Sequence, residues 1–288
     1  MVALESTIIT HGLPRPENAQ AAREFERTVI DHGAVPATIA VLDGVPHVGL
    51  EPDQLERLVS AGSPHKLSAR DLPLAMAQRA TGGTTVAATA LLASRVGIRV
   101  FATGGIGGVH RGAGTTFDES ADLAILANRR ITVVSAGVKS ILDIGATLER
   151  LETLGVTVLA FGTNRFPAFW LTDGGYTVDA VSTVEQVAEV MRARDALDLP
   201  GGILVAHPLP EHAQLDPALH DRLLSEALAA AEARSIRGKE ITPFLLEYIH
   251  EHTGRTSVSV NLEIVRGNCR LGAGIARAWS ELRAAMRD

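Results

Sequence analysis

Cysteine is almost absent from this sequence, which has 288 residues and one cysteine, Cys269. A single cysteine cannot form a disulfide within the chain, and it cannot supply the several thiolates of a structural zinc site. Aromatic residues are also scarce, at 4%, whereas hydrophobic residues of all kinds make up 46%. The composition therefore excludes a disulfide scaffold and indicates a globular protein with a largely aliphatic core.

Long apolar runs and an excess of positive charge are missing as well. Without a run of about 18 apolar residues, no membrane span is expected. The first residues, MVALESTIITHGLP, lack the basic and apolar regions of a signal peptide. Lys plus Arg number 27 against 33 Asp plus Glu, a net charge of −6, and no segment is strongly basic. We therefore expect a cytoplasmic protein that binds a small molecule, and neither nucleic acid nor membrane.

Short apolar runs alternate with amphipathic or apolar stretches, a pattern typical of α/β proteins. Strands are predicted at residues 2–4, 35–42, 45–48, 65–68, 98–102, 131–136, 156–161 and 202–206. One predicted helix spans residues 140–154, residues 162–181 look irregular, and the chain is mostly helical from about residue 217. The prediction is one α/β/α layered domain over residues 1–288. Its sheet is mixed and largely parallel, and its C-terminal part is helical.

A glycine-rich stretch, GGIGGVHRGAG at residues 104–114, follows the predicted strand 98–102. Glycines can adopt positive φ and let the backbone approach a ligand closely. Backbone N–H groups of such a loop can hold an anion at the carboxyl edge of a sheet, and His110 and Arg111 add further donors. The alternative is a connecting turn, but the glycines outnumber what a turn needs. The spacing matches neither a dinucleotide-binding fingerprint nor a P-loop.

Two other predicted strand ends carry polar residues, and parallel strands bring such ends to one edge of a sheet. Lys139 lies at a strand–helix junction, where burial would lower its pKa and favour Schiff-base chemistry. The alternative is a lysine that extends into solvent. Glu5 ends the first strand and can be a general acid or an ordinary strand-end carboxylate.

Asp118, Asp122 and Lys66 are further candidates whose position leaves two interpretations open. The two aspartates can begin a helix, or can bind a hard cation or sugar hydroxyls. Lys66 can contact a phosphate group, or can be a solvated surface lysine. His207, His250 and His252 lack metal-ligand spacing, and we expect the last two on the surface.

Seven long motifs, in order along the chain, resemble the pseudouridine-5′-phosphate glycosidase family, a group also described as similar to indigoidine synthase A. They are VALESTIITHGLPRPEN, GAVPATIAVLDGVPHVGL, KLSARDLP, FATGGIGGVHRGA, FDESADL, SAGVKSILDIG and GKEITPFLLEYIHEHTGRTSVSVNLEIV. This resemblance implies an α/β/α domain, a homotrimer, and one divalent cation per subunit, typically Mn²⁺. It also implies reversible cleavage of pseudouridine 5′-phosphate to uracil and ribose 5-phosphate.

The resemblance also implies roles for individual residues. Lys139 matches the family's Schiff-base nucleophile, Glu5 its proton donor and Asp118 its metal ligand. The matches to substrate contacts are Lys66, Val86, Ser120, Ala121 and Asp122, with His110 and Asn261 also expected to face the site. The sequence departs from the family at His207, where many relatives have asparagine, which affects one strand-end contact.

Two rival functions remain open at this point. A Schiff-base aldolase or another phosphosugar lyase would share Lys139 and a phosphate site but needs no uracil pocket. A sugar-phosphate binding protein without catalysis would not need both Lys139 and Glu5.

Overall fold

The fold is described from a computed structural model, which describes residues 1–236, 240–254 and 256–286. Twelve strands are present in these residues: β1 Val2–Leu4, β2 Pro36–Leu42, β3 Val45–Val48, β4 His65–Leu67, β5 Gly82–Thr84, β6 Val100–Ala102, β7 Thr132–Ser135, β8 Thr157–Phe161, β9 Arg165–Ala168, β10 Leu171–Thr177, β11 Asp179–Val181 and β12 Ile203–Ala206. The α-helices are α1 Glu17–Asp31, α2 Pro52–Ser60, α3 Leu72–Ala77, α4 Val86–Arg95, α5 Ala113–Thr116, α6 Ala121–Asn128, α7 Ile144–Thr153, α8 Val184–Ala196, α9 Pro217–Ala233, α10 Ile241–His252 and α11 Thr256–Ala285.

Ten strands form one sheet in the order β11-β8-β12-β7-β6-β1-β2-β5-β4, with β3 added to β2. The seven strands from β11 to β2 are parallel, and β5 and β3 pair antiparallel with β2. The mixed, largely parallel α/β sheet predicted from the sequence is therefore confirmed. Because β12, β7, β6 and β1 are parallel neighbours, their carboxyl ends lie side by side at one edge.

Alternating side chains of each central strand pack against helices on opposite faces of the sheet. In β6, Phe101 joins a core with α4, α6 and α9, whereas Val100 and Ala102 join a core with α1, α8 and α11. β12 divides in the same way, with Leu204 on the first face and Val205 on the second. This alternation produces the three predicted layers.

Residues 162–181, predicted as irregular, instead contain three strands. β9 and β10 form an antiparallel hairpin whose register shifts between Leu171 and Tyr176, and β11 pairs with β8 at the edge of the main sheet. The prediction is wrong here because the sequence TDGGYT has no regular alternation. The strand conformation of this segment depends on pairing with neighbouring strands rather than on its own pattern.

Helix α7 begins at Ile144, later than the predicted start at Ser140. The side chain of Asp143 accepts a hydrogen bond from the Ala146 N–H at 3.0 Å and caps the first turn. Residues 137–142 are therefore a loop, and Lys139 is not at the helix start.

Most other predicted elements are confirmed, including the helix α1 and the β2–β3 hairpin at Asp43-Gly44. The predicted break at Gly238-Lys239 lies outside the described residues, whereas Gly254 has φ +55° and separates α10 from α11. Of the helices in the described part of the chain, none combines the length and apolar character needed to cross a membrane.

Candidate active site

The polar residues that follow β1, β6 and β7 converge at the carboxyl edge of the sheet. Glu5 directly follows β1, Thr103 follows β6, and Lys139 lies in the loop after β7. The Thr103 hydroxyl donates a hydrogen bond to Glu5 Oε1, which joins residues 98 positions apart in the sequence. The predicted clustering of strand ends is therefore present.

The Glu5 carboxyl group is held by two hydroxyl groups. Thr103 Oγ1 donates to Glu5 Oε1, and Thr7 Oγ1 donates to Glu5 Oε2. Strand β1 itself is buried and pairs with β2 and β6 on its two sides. Glu5 is therefore fixed in orientation, although it is the fifth residue of the sequence.

The backbone of Lys139 is fixed by a continuation of the parallel ladder beyond the ends of β6 and β7. The Ile106 N–H donates to the Gly137 carbonyl at 3.0 Å, and the Lys139 N–H donates to the Ile106 carbonyl at 3.1 Å. The Lys139 carbonyl then accepts from the Leu142 N–H at 2.9 Å. Lys139 is half-buried, and its side chain begins from a rigid support.

The glycine-rich loop is packed tightly and does not form the open anion cradle expected from the sequence. Between Ile106 and His110, four of the five N–H groups already have protein partners: Ile106 with Gly137 O, Gly107 with Asp122 Oδ2, Val109 with Thr147 Oγ1, and His110 with Asp118 O. The expectation that these donors bind an anion is therefore wrong at these four positions.

Glycine is required in this loop mainly because neighbouring atoms approach the backbone closely. A Cβ at Gly107 would lie 2.7 Å from Ser120 Cβ, and one at Gly108 would lie 2.7 Å from Thr147 Cγ2. Within residues 104–114, all of them described by the structure, only Gly112 has positive φ, at +81°. Close packing, rather than backbone conformation, explains most of these glycines.

Asp122 is buried and links the glycine-rich loop to helix α4. Its Oδ2 accepts from the Gly107 N–H at 2.8 Å, and its Oδ1 accepts from the Ala87 N–H at 2.8 Å. Ser120 is the N-cap of α6, where its Oγ accepts from the Asp122 N–H at 3.2 Å, and Ala121 is the exposed first residue of that helix. The predicted substrate contacts of Ser120, Ala121 and Asp122 stay predictions.

Lys66 is the middle residue of β4. Desolvation by the surrounding cleft, and then the charge of Lys139, lower the pKa of Lys66, although the residue as a whole is solvent-accessible. The carboxylates of Glu5, Asp122 and Glu240 oppose this effect. These interactions place Lys66 within electrostatic range of both proposed catalytic groups.

Val86 is the first residue of α4, adjacent to this cluster. The Ala87 N–H donates to Asp122 and the Ala88 N–H to Thr85 Oγ1, whereas the Val86 N–H has no intrahelical partner at this position. None of the described residues accepts a hydrogen bond from this N–H, and an N–H at the start of a ten-residue helix is a suitable contact for an anionic group.

His110 and Asp118 form a second polar pair at the mouth of the site. His110 Nδ1 lies 3.9 Å from Asp118 Oδ2, and about one third of the Asp118 side chain is exposed. Desolvation lowers the pKa of His110, the Asp118 carboxylate opposes this, and the charge of Lys139 adds to the lowering. The His110 ring is therefore in electrostatic contact with Lys139.

A buried aromatic cluster, not predicted from the sequence, lies behind the Lys139 loop. Trp170 is fully buried, and its Nε1 donates to Asn261 Oδ1 at 2.6 Å. The rings of His220 and His250 contact Trp170 edge-on at 6.2 and 6.0 Å. His220 Nε2 lies 2.8 Å from Ser140 Oγ, directly after Lys139.

This cluster connects the C-terminal helices to the site. Asn261, predicted to face substrate, is thus also an acceptor for Trp170. The only feature of the sequence that could have indicated this cluster is the rarity of tryptophan, of which the chain has two. His220 gave no signal, because a single histidine within a helix is common on surfaces.

The other histidines singled out in the sequence have different environments. His250 is partly buried and its Nδ1 lies 2.6 Å from Ser257 Oγ, so the expected surface position is wrong, whereas His252 is exposed as predicted. His207 Nδ1 lies 3.0 Å from Asn268 Oδ1, and Asn268 Nδ2 donates to the Thr103 carbonyl at 2.7 Å. His207, the position at which the sequence departs from the family, is therefore linked through Asn268 to the backbone of Thr103.

Comparison with known proteins gives a consistent result over nearly the whole chain. The model of a family described as "Indigoidine synthase A like protein" matches residues 1–278. A protein of Frankia alni named pseudouridine-5′-phosphate glycosidase is 59% identical over 281 residues, which cover 97% of this chain and 78% of that protein.

Two solved structures share the fold at 35% identity. One is an indigoidine synthase A-like protein from Thermotoga maritima, with a TM-score of 0.88 and coverage of 96% of this chain and 91% of the other. The second is the prealnumycin C-glycosynthase AlnA in complex with ribulose 5-phosphate, with a TM-score of 0.92 and coverage of 99% and 93%.

Proposed function

We propose that this chain, which belongs to the indigoidine synthase A-like family, cleaves the C–C glycosidic bond of pseudouridine 5′-phosphate reversibly. The products are uracil and ribose 5-phosphate. The observation that carries this proposal is the convergence of Glu5, Lys66 and Lys139 at one edge of the sheet. The name of the Frankia alni relative and the sugar phosphate bound to AlnA support the same substrate class.

The phosphate group of the substrate binds to Lys66 and to the N–H of Val86 in this proposal. Lys66 supplies a positive charge, and the start of α4 supplies a backbone donor together with the positive end of the helix dipole. This anchor orients C1′ of the sugar toward Lys139. Ser120, Ala121, Asp122, His110 and Asn261 surround the remainder of the substrate.

Glu5 acts as the acid that opens the ribose ring. A C–C glycoside has no glycosidic oxygen to protonate, so the paired carboxylates of ordinary glycosidases would not be sufficient. Protonation of O4′ by Glu5 allows the C1′–O4′ bond to break as Nζ of Lys139 bonds to C1′. The hydroxyl groups of Thr7 and Thr103 hold the acid in the required orientation.

Lys139 then provides the pathway for carbon–carbon cleavage. After the attack on C1′, Nζ loses a proton to the Glu5 carboxylate that ring opening has left, and Glu5 gives this proton to C5 of uracil. The C1′–C5 bond then breaks with its electron pair remaining on the base, and the nitrogen lone pair forms a C1′=Nζ iminium. Water hydrolyses this iminium and releases ribose 5-phosphate and the free amine.

A divalent cation, Mn²⁺ in our proposal, would bind to Asp118. The described residues contain no group of three or more His, Cys, Asp or Glu side chains able to hold a metal. A single, partly exposed carboxylate fits a hard cation that keeps most of its waters, and does not fit a caged zinc ion. When bound, the cation would supply positive charge for oxygen atoms of the substrate.

We expect Asp118→Ala to weaken Mn²⁺ binding and to abolish the dependence of activity on the metal, with the fold unchanged. Substitution of a residue that hydrogen-bonds to a metal ligand often weakens metal binding by about 10- to 100-fold, and loss of Asp118, the proposed ligand itself, should weaken Mn²⁺ binding at least as much. The electron paramagnetic resonance signal of free Mn²⁺ measures how much of the metal is bound, and this measurement does not depend on enzyme activity. The matched control is Glu119→Ala, since that neighbouring carboxylate pairs with Arg150 at 2.9 Å. Unchanged Mn²⁺ affinity in Asp118→Ala would refute the assignment.

We also propose that the protein is a cytoplasmic homotrimer. Sedimentation equilibrium would test the oligomeric state directly.

The function is tested by adding pseudouridine 5′-phosphate and Mn²⁺ to the purified protein and measuring release of uracil. Uracil and ribose 5-phosphate should also combine in the reverse direction. Sugar-phosphate cleavage without any release of uracil would favour the rival aldolase or lyase. Binding of ribose 5-phosphate with no reaction in either direction would favour a binding protein.

A further inference from the structure

A cavity of about 350 Å³ lies at the amino-terminal edge of the sheet, far from the candidate active site. Residues 96–100 line one side of this basal pocket, and the last turns of α11 line the other. Arg99 lies before β6 and Thr103 lies after it, so the strand separates the pocket from Glu5 by about 13 Å. The basal pocket is therefore a separate site.

The basal pocket is positively charged. Arg99 and Arg283 both line it, whereas no aspartate or glutamate belongs to the lining. The Arg99 and Arg283 guanidinium groups lie 5.4 and 5.9 Å from the centre of the Trp279 ring. Within the described part of the chain, Arg283 has no carboxylate partner.

The charge of Arg99 is only partly balanced by the protein. Asp195 accepts from Arg99 Nη2 at 2.6 Å, but the same Oδ1 atom also accepts from Arg194 Nη2 at 3.1 Å. Two guanidinium groups therefore share one carboxylate. Among the described residues, Arg99 Nε and Arg194 Nη1 are buried without a hydrogen-bond partner. Because the two guanidinium groups share the single negative charge of Asp195, a surplus of positive charge remains beside the pocket.

Both sides of the basal pocket also carry aliphatic side chains, which form its aliphatic wall. Val96, Ile98 and Val100 contribute aliphatic surface from one side, and Ala276 contributes it from the helix. Pockets for small ligands typically start at about 300 Å³ and combine such surface with a few polar groups. A volume of 350 Å³ accommodates an aromatic ring with one anionic substituent.

We propose that the basal pocket binds a small aromatic anion, whose phosphate or carboxylate group contacts Arg99 and Arg283 while its ring packs on the aliphatic wall. A bound anion would offset the surplus charge that Asp195 leaves uncompensated. Nothing in the proposed reaction uses these residues, so the site adds a binding capacity to the protein beyond its proposed catalysis.

The test uses phenyl phosphate as the probe, with calorimetry and tryptophan fluorescence as the readouts. Trp279 is one of two tryptophans and lines the pocket, whereas Trp170 is fully buried. Saturable binding is expected with the full chain. Arg283→Gln should weaken it by about tenfold or more, because a charge-assisted contact is lost.

The matched control is Arg277→Gln, which removes the same charge from the same helix outside the pocket lining. It should bind the probe as the parent does, and phenol, which lacks the charge, should bind to neither. Equal affinity of Arg283→Gln and the parent would overturn the proposal, because it would place the probe elsewhere, for example in the active site. Absence of binding at about 1 mM phenyl phosphate would also overturn it.

Discussion

Borohydride reduction in the presence of ribose 5-phosphate is expected to attach one sugar phosphate to the protein, at Lys139. The sequence contains only three lysines, Lys66, Lys139 and Lys239, so peptide mapping can assign the modified residue without ambiguity. Lys139 is the expected site because its backbone is fixed by Ile106 and Leu142 and its side chain begins at the carboxyl edge of the sheet.

Replacement of the nucleophile should have the largest effect of any single substitution. Lys139→Met removes the amine and keeps a side chain of similar length. We expect a loss of uracil release of about 10,000-fold or more, the scale seen when a covalent nucleophile is removed, and no trapped adduct.

The control for trapping is Lys66→Met, which removes the neighbouring amine. At saturating ribose 5-phosphate this variant should still be trapped at Lys139, although its affinity for the sugar phosphate should be lower. Trapping at Lys66 in the parent protein, or no trapping in an active enzyme, would contradict the assignment of Lys139.

Glu5→Gln is expected to slow cleavage of pseudouridine 5′-phosphate by about 100- to 10,000-fold, the usual contribution of general acid–base catalysis. Glutamine keeps the size of the side chain and its hydrogen bonds to Thr7 or Thr103, but it cannot donate the proton that opens the ring. Binding of ribose 5-phosphate should change little. Measurement of kcat for uracil release, beside a direct binding isotherm, separates these two effects.

The open-chain form of ribose 5-phosphate provides a second readout for the same variant. This aldehyde does not need ring opening, so Glu5→Gln should still form the Lys139 imine and should still be trapped by borohydride. The control Thr103→Val keeps the carboxyl group and removes one hydroxyl that orients it, so its loss of rate should be smaller.

A rate near that of the parent in Glu5→Gln would show that another group is the acid. Asp122 is a poor replacement, since its two oxygens accept from the Gly107 and Ala87 N–H groups. His110, which is near Lys139 and can carry a proton, would then be examined first.

For the glycine-rich loop, the sequence predicted the position in the fold but not the reason for the glycines. Its composition correctly marked the carboxyl edge of a central strand, but the reason for the glycines was different from the one expected. The sequence does not contain the distance between Gly107 and Ser120, or between Gly108 and Thr147, because these contacts form only when β6, α6 and α7 pack together.

The sequence by itself determined the α/β class, most strands and helices, and the location of Glu5 and Lys139 at strand ends. These properties follow from local hydrophobic periodicity and from long motifs, which act over a few residues. Only the tertiary structure decided the β9–β10 hairpin, the burial of His250, the link made by Asp122 and the pairing of Trp170 with Asn261. Each of these depends on partners outside the local pattern, as with Trp170 and Asn261, which are 91 positions apart in the sequence, and packing alone selects those partners.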